Sequence, residues 1–145
     1  MTAKEYLQQI WKISEIIKRK KEQICDLRET LRTYGLASIS YDKDCVQSSP
    51  DPDSLLGLIA KIDQKEAELS EEIADLMDRK DLIIGQIMAL PNPRHVEILE
   101  ARYVFLEKWE DISASMQMDL RWVYRLHGRA LQSFAEFYPE YLIDH

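Results

Sequence analysis

The sequence is poor in the residues that most often interrupt helices, because only four glycines and five prolines stand among its 145 residues. An all-β fold needs many turns, so this scarcity argues against one and favours an all-α chain. The two cysteines, Cys25 and Cys45, are too few for a disulfide framework, and no CxxC spacing occurs. Free thiols are typical of reducing compartments, and we therefore expect a cytoplasmic protein.

A long apolar run is also missing. No stretch approaches the roughly 20 residues that span a bilayer, so we expect no membrane association. The N-terminal MTAKEYLQQI does not have the basic-then-apolar order of a secretory signal. Hydrophobic residues make up 46% of the chain, which is enough for a folded core and argues against global disorder.

Motifs for catalysis and cofactor binding do not occur either. The chain contains no GxGxxG, no GK[ST] and no GxSxG, so nucleotide binding and serine hydrolysis have no motif behind them. Its three histidines, His95, His127 and His145, do not stand at metal-ligand spacing with a cysteine or a carboxylate. We therefore expect no enzyme, no catalytic residue, no cofactor and no metal.

What the chain does have is a regular apolar period. Thr2 and Glu5 predict a capping box at the start of a first helix, and Gly35 predicts its C-terminal cap. Sites alternately three and four residues apart are apolar, apart from Lys20, which is typical of a coiled coil. This first seam is Ala3, Tyr6, Ile10, Ile13, Ile17, Lys20, Ile24, Leu27, Leu31 and Tyr34.

A second helix is predicted from about Asp53 to Leu90, after a connection over residues 35–52, and SSPDPD, residues 48–53, lies where the two segments join. Its seam has the same spacing and two polar members, Glu66 and Lys80. The second seam is Leu55, Ile59, Ile62, Glu66, Leu69, Ile73, Leu76, Lys80, Ile83, Ile87 and Leu90.

The charges of the two segments favour pairing between them. Residues 1–34 carry 8 basic and 5 acidic side chains, whereas residues 35–90 carry 5 and 12, within a net charge of −7 for the chain. We predict a long antiparallel helical hairpin in which Lys20 lies near Leu69 and contacts Glu66. Such seams fit a closed hairpin as well as a four-helix dimer, and their length leads us to expect a homodimer. A structural spacer and a partner-binding surface are both open interpretations.

Pro91-Asn92-Pro93 marks the predicted boundary between a hairpin module, residues 1–90, and a C-terminal domain, residues 91–145. A third helix starts near Pro93, with an apolar face of Ile98, Leu99, Tyr103 and Leu106. A short helix from about Trp109 to Met116, the turn Gln117-Met118-Asp119 and a longer helix to about Tyr138 follow. These lengths are those of a helix-turn-helix domain.

The last helix carries a local excess of arginine in an acidic chain. Arginine matches both phosphates and guanine edges, and the start of a recognition helix lies in the major groove. We expect Arg121, Trp122, Tyr124 and Arg125 to approach bases of double-stranded DNA, and Arg129 and Lys108 to meet phosphates. Trp122 has a second interpretation, in which it folds back onto the domain. The aromatic tail around Phe134 to Leu142 is expected to pack against the hairpin or a second subunit, or to dock on RNA polymerase.

Residues 97–131, EILEARYVFLEKWEDISASMQMDLRWVYRLHGRAL, resemble region 4 of the bacterial sigma factors. Ala101-Arg102-Tyr103, Glu110-Asp111-Ile112-Ser113, the turn Met116–Asp119 and Arg129-Ala130-Leu131 carry the resemblance. Gln117 replaces the family's turn glycine, which costs roughly 1 kcal/mol if that residue has a positive φ. Leu120-Arg121-Trp122 also departs from the charged start of a sigma recognition helix, so the promoter specificity of that family does not carry over.

The whole layout is similar to a family of small phage and prophage proteins, described as sigma-like transcriptional regulators in the style of the RinA and ArpU late-gene regulators. The features that match are MTAKEYL at the start, the helical hairpin, the SPDP loop and a terminal HGRAL. This resemblance implies DNA binding, with host RNA polymerase as a further partner. The alternative is a protein-interaction module, used in phage packaging or against host transcription, whose helix-turn-helix contacts protein.

Overall fold

The computed structural model describes the backbone of residues 1–44 and 52–143, and the side chains of residues 1–34 and 54–143. Within these residues the chain is helical and has no strand, which confirms the all-α prediction. The helices are α1 (Ala3–Asp44), α2 (Pro52–Met88), α3 (Pro93–Leu99), α4 (Trp109–Met116) and α5 (Leu120–Phe137). A π-helical segment, Glu100–Val104, continues α3, and a 3-10 turn, Pro139–Leu142, follows α5.

The capping box predicted at the start of α1 is present. The Thr2 backbone N–H donates to Glu5 Oε2 at 3.2 Å, and the Glu5 N–H donates to Thr2 Oγ1 at 3.1 Å. The predicted end of this helix is wrong, because α1 continues through Gly35 to Asp44. Glycine costs a helix about 1 kcal/mol relative to alanine but does not stop it, and no proline stands before Pro50.

Residues Ile16–Leu76 form one compact unit. In this unit Lys20 Nζ lies 2.5 Å from Glu72 Oε2, and Arg28 Nε lies 2.9 Å from Glu66 Oε1. An earlier residue of α1 pairs with a later residue of α2, so the two stretches run in opposite directions. The predicted Lys20–Glu66 contact is wrong. Because α1 extends past Gly35, the residue that meets Lys20 lies later in α2 than the shorter helix implied.

The other compact unit contains Met1–Glu15 and the chain from Met77 onward. This division differs from the boundary predicted at Pro91-Asn92-Pro93, since it groups the first turns of α1 with the C-terminal helices. Tyr6 makes the connection, because its ring lies 5.7 Å from that of Phe134 and 6.1 Å from that of Tyr141. Its hydroxyl donates to Gln86 Oε1 at 2.7 Å. The aromatic tail thus packs on the start of α1 in the same chain.

The segment after α2 begins as predicted and ends differently. Asn92 caps α3 by accepting from the Arg94 N–H at 3.0 Å, and Pro93 is its first residue. Ile98, Leu99 and Tyr103 are buried. Leu106, predicted for the same face, is half-exposed instead. The helix widens into the π-helical segment and ends before Leu106, so the 3.6-residue period no longer applies there.

Candidate nucleic-acid interface

Helix α5 has one buried side and one exposed side. Val123, Ala130 and Phe134 are completely buried, and Ile112 of α4 is buried as well. The opposite side carries Arg121, Arg125 and Arg129, all exposed and four residues apart. Residues at this spacing share one helix face. Three guanidinium groups therefore form a single stripe, here named the arginine stripe.

The connection between α4 and α5 sets the position of this stripe. Helix α4 ends at Met116, and Gln117 adopts a left-handed conformation with φ 55° and ψ 47°. The Met118 N–H donates to Ser113 O at 3.1 Å and the Gln117 N–H to Ala114 O at 3.3 Å, the two bonds of a Schellman motif. Gln117 thus has the positive φ that would favour glycine.

Asp119 occupies the N-cap position of α5 as predicted, with an extended backbone, but its side chain makes no capping hydrogen bond. Its carbonyl accepts the first helical bond, from the Val123 N–H at 2.9 Å. No backbone N–H in the first turn of α5 therefore donates to the Asp119 side chain. Leu120, the first residue of the helix, is itself exposed.

Two aromatic residues flank the arginine stripe. Trp122 is half-exposed, and the Arg125 guanidinium carbon lies 5.0 Å from the centre of its ring. Trp122 therefore stays at the surface and holds Arg125 by a cation–π contact. Tyr124 is also half-exposed and meets Trp109 edge-on, with ring centres 5.2 Å apart.

Lys108 lies apart from α5 in sequence, immediately before α4, and it is exposed. The Trp109–Tyr124 contact places the start of α4 beside α5. The structure thus presents all six predicted site residues at the surface, five of them on α5 and Lys108 at the start of the neighbouring helix.

A half-buried polar cluster supports α5 from behind, and the sequence did not predict it. His127 Nε2 lies 2.7 Å from the Tyr103 hydroxyl, and the His127 ring packs edge-on against Trp109 at 4.7 Å. Burial, followed by the nearby charges of Lys4 and Arg102, lowers the pKa of His127 to about 4. Burial raises the pKa of Tyr103 to about 12. At neutral pH the Tyr103 hydroxyl is therefore hydrogen-bonded to an uncharged imidazole, and His127 adds no charge to this surface.

Arg102 completes this cluster. Its guanidinium carbon lies 4.4 Å from the centre of the Trp109 ring, and its Nη1 donates to Glu107 O at 2.8 Å. The residue thereby ties the segment after the π-helical turn to the start of α4. The only sequence signal for it was its place in the Ala101-Arg102-Tyr103 match.

No family model matches the chain, and no curated protein or solved structure matches it either. The resemblance to sigma region 4 therefore depends on the residues of this chain alone. Across residues 1–44 and 52–143, no helix is long and apolar enough to cross a membrane. The same described residues contain no group of three or more His, Cys, Asp or Glu side chains that could hold a metal ion.

Proposed function

We propose that α4 and α5 form a helix-turn-helix that binds double-stranded DNA, and that the chain is a transcriptional regulator of the phage or prophage type. The observation that carries the proposal is the arginine stripe. It occupies the side of α5 opposite the buried Val123 and Ala130, where a recognition helix contacts the major groove.

The residues divide into base-reading and phosphate-binding groups. Arg121 and Arg125 lie in the first two turns of α5, the part of a recognition helix that reads base edges. Arg129 lies one turn further, where the helix leaves the groove and meets the backbone. Lys108, before α4, is the second phosphate contact. Trp122 and Tyr124 stand on either side of the stripe and offer apolar contacts to thymine methyl groups or to sugars.

The cation–π contact between Arg125 and Trp122 supports a reading role for Arg125. A guanidinium held against an indole ring loses less conformational freedom on binding than a free side chain does. Discrimination by a bidentate arginine–guanine pair requires such a defined orientation. Further along the same face of α5 lie Gln132 and Glu136, which are not basic. The basic surface of α5 is therefore confined to its first three turns.

The net charge of −7 sets the conditions under which binding is to be measured. An acidic chain with a small basic surface has weak affinity for arbitrary DNA, and that affinity falls steeply with salt. Sites should first be selected from random DNA with the full chain at fixed, moderate salt. Fluorescence anisotropy then compares the selected site with a scrambled one over a salt series.

The decisive variants are Arg121→Ala and Arg125→Ala. Each is expected to weaken binding to the selected site by about 1–3 kcal/mol and to relax its sequence preference. Arg129→Ala should weaken binding to both DNAs by similar amounts and reduce the salt slope by about one. Arg79→Ala is the matched control, because Arg79 is an exposed arginine of α2 outside this surface. It should leave the affinity unchanged.

Two results would count against the proposal. One is an unmodified protein that binds no DNA at moderate salt, and the other is an Arg121→Ala/Arg125→Ala double variant that binds like the unmodified protein. In either case the exposed side of α5 is better explained as a surface for protein contact.

A further inference from the structure

A cleft of about 430 Å³ lies where the first turns of α1 meet the segment that follows α3, and no residue of α5 lines it. Its lining residues are Gln8, Trp11, Lys12, Arg102, Tyr103 and Leu106. All belong to the unit formed by Met1–Glu15 and the chain from Met77 onward. The volume falls in the range of ligand-binding clefts, about 300–1,000 Å³.

The cleft combines large apolar side chains with positive charge. Trp11 is 48% exposed and Leu106 is 50% exposed, although both are residues that usually lie in a core. Lys12 and Arg102 supply two cations, and the lining includes no carboxylate in a chain with 26 acidic and 19 basic residues. Among the described side chains, neither cation forms an ion pair. The cleft is thus complementary to an anionic occupant that also carries an apolar group.

Backbone strain at one edge of the cleft is a second observation. Leu106 has φ 56°, a left-handed conformation that is an outlier for a bulky side chain. The neighbouring Phe105 is 63% exposed, so burial of apolar side chains in this segment does not offset the cost of the strain. The hydrogen bond from the Arg102 side chain to the backbone carbonyl of Glu107 holds this conformation in place. Strain kept at an exposed apolar loop is typical of binding sites.

We propose that this cleft binds an acidic peptide segment of a partner protein, one that carries a large apolar side chain next to its carboxylates. The apolar side chain lies between Trp11 and Leu106, and the carboxylates pair with Lys12 and Arg102. Tryptophan and arginine are the residue types that most often dominate protein–protein binding energy. This interaction is separate from the DNA surface proposed for α5 and does not depend on it.

The test is a selection from a library of random linear peptides on the full chain, followed by anisotropy titration of a labelled, selected peptide. Enriched sequences should combine Asp or Glu with Leu, Phe or Trp. Trp11→Ala and Lys12→Glu should each weaken the selected peptide by roughly tenfold or more. Both residues are exposed, so the variants should remain folded, which circular dichroism verifies.

Two matched controls separate the cleft from general effects. Lys18→Glu makes the same charge change at another exposed lysine of α1, and Trp122→Ala removes another half-exposed tryptophan. Neither should change peptide affinity by more than about twofold. The proposal is overturned if no peptide is enriched, if the enriched peptides are not acidic, or if the cleft variants bind them as tightly as the controls do. It is overturned equally if Lys12→Glu weakens DNA binding but not peptide binding, since the cleft then holds phosphate.

Discussion

At the scale of single residues, the environment of His127 makes stability depend on pH. Its pKa is about 4 in the folded chain against an ordinary value of 6.5, because burial beside Tyr103 and Trp109 disfavours the imidazolium. Between these values the unfolded chain binds a proton that the folded chain does not. The contribution of His127 to stability is therefore complete above about pH 6.5 and is lost as the pH falls towards 4.

The variant that tests this is His127→Gln, which keeps a hydrogen-bonding side chain for the Tyr103 hydroxyl but does not titrate. Thermal melts from pH 7 to pH 4.5 should show a steeper loss of Tm for the unmodified chain than for the glutamine variant. Parallel curves for the two proteins would contradict a buried, uncharged His127.

The exposure of individual site residues was predictable, but their partners were not. A 3.6-residue period is enough to place Arg121, Arg125 and Arg129 on the side opposite Val123, and the structure has them exposed. The partner of Lys20 depends on where α1 ends, and the residues around Lys20 do not indicate that end. Its pairing with Glu72 was missed for that reason. The Tyr103–His127 contact joins two helices, so spacing within one helix did not predict it either.

At the scale of elements, the left-handed residue in the turn between α4 and α5 lowers the free energy of unfolding, and a substitution can remove that strain. Gln117 has φ 55°, and glycine adopts this conformation without a Cβ clash. We expect Gln117→Gly to increase the free energy of unfolding by about 1 kcal/mol, as a net of relieved strain and greater entropy of the unfolded chain. The measurement is the urea midpoint at constant m-value.

Gln132→Gly is the matched control for this change. Gln132 is exposed inside α5, so the same substitution there should lower stability by about 1 kcal/mol. If Gln117→Gly is as destabilising as the control, the left-handed turn is not where the cost lies.

The elements themselves were predicted unequally. Strong signals mark both ends of α4, namely acidic residues in its first turn and, after its last turn, a connection that needs a positive φ. The bounds of α4 match the prediction. The π-helical segment Glu100–Val104 has no comparable signal, because one extra residue in a turn leaves the composition unchanged. The period alone therefore extended the predicted apolar face to Leu106. At Gly35 the error was the opposite one, because the end of α1 was predicted too early. Glycine ends a helix only where the chain there adopts a capping conformation.

At the scale of the whole molecule, Tyr6 is expected to control the stability of the C-terminal helices. It is 6% exposed and contacts Gln86, Phe134 and Tyr141. Tyr6→Ala should lower the free energy of unfolding by roughly 3 kcal/mol or more, as for other buried aromatic residues. Tyr6→Phe removes only the bond to Gln86 and should cost about 1 kcal/mol. Urea unfolding of the two variants compares these effects.

Hydrogen exchange in Tyr6→Ala should also show faster exchange at the C-terminal end of α5 and in the turn Pro139–Leu142, because Phe134 and Tyr141 lose a neighbour. Unchanged protection there, or a loss in Tyr6→Ala no larger than in Tyr6→Phe, would mean that these helices do not depend on the start of α1.

The domain boundary inferred from the sequence stays a prediction, and it depends on local sequence, whereas the compact units of the structure depend on long-range contacts. Two prolines around Asn92 indicate a stiff local backbone, and this predicted a boundary between residues 1–90 and 91–145. The structure instead groups Met1–Glu15 with the chain from Met77 onward. Contacts such as Tyr6–Phe134 join residues far apart in sequence, and neither the prolines nor the seam contains information about them. The homodimer stays a prediction.

The Tyr6–Phe134 contact also has a consequence for synthesis on the ribosome. Tyr6 is synthesised well before Phe134, the ring it packs against, because most of the chain lies between them. At about 5–20 residues per second, this interval is on the order of ten seconds. Throughout that time the apolar side of the nascent α1 has no access to its C-terminal neighbours. The growing chain therefore presents an amphipathic helix to the chaperones at the tunnel exit until α5 has been translated.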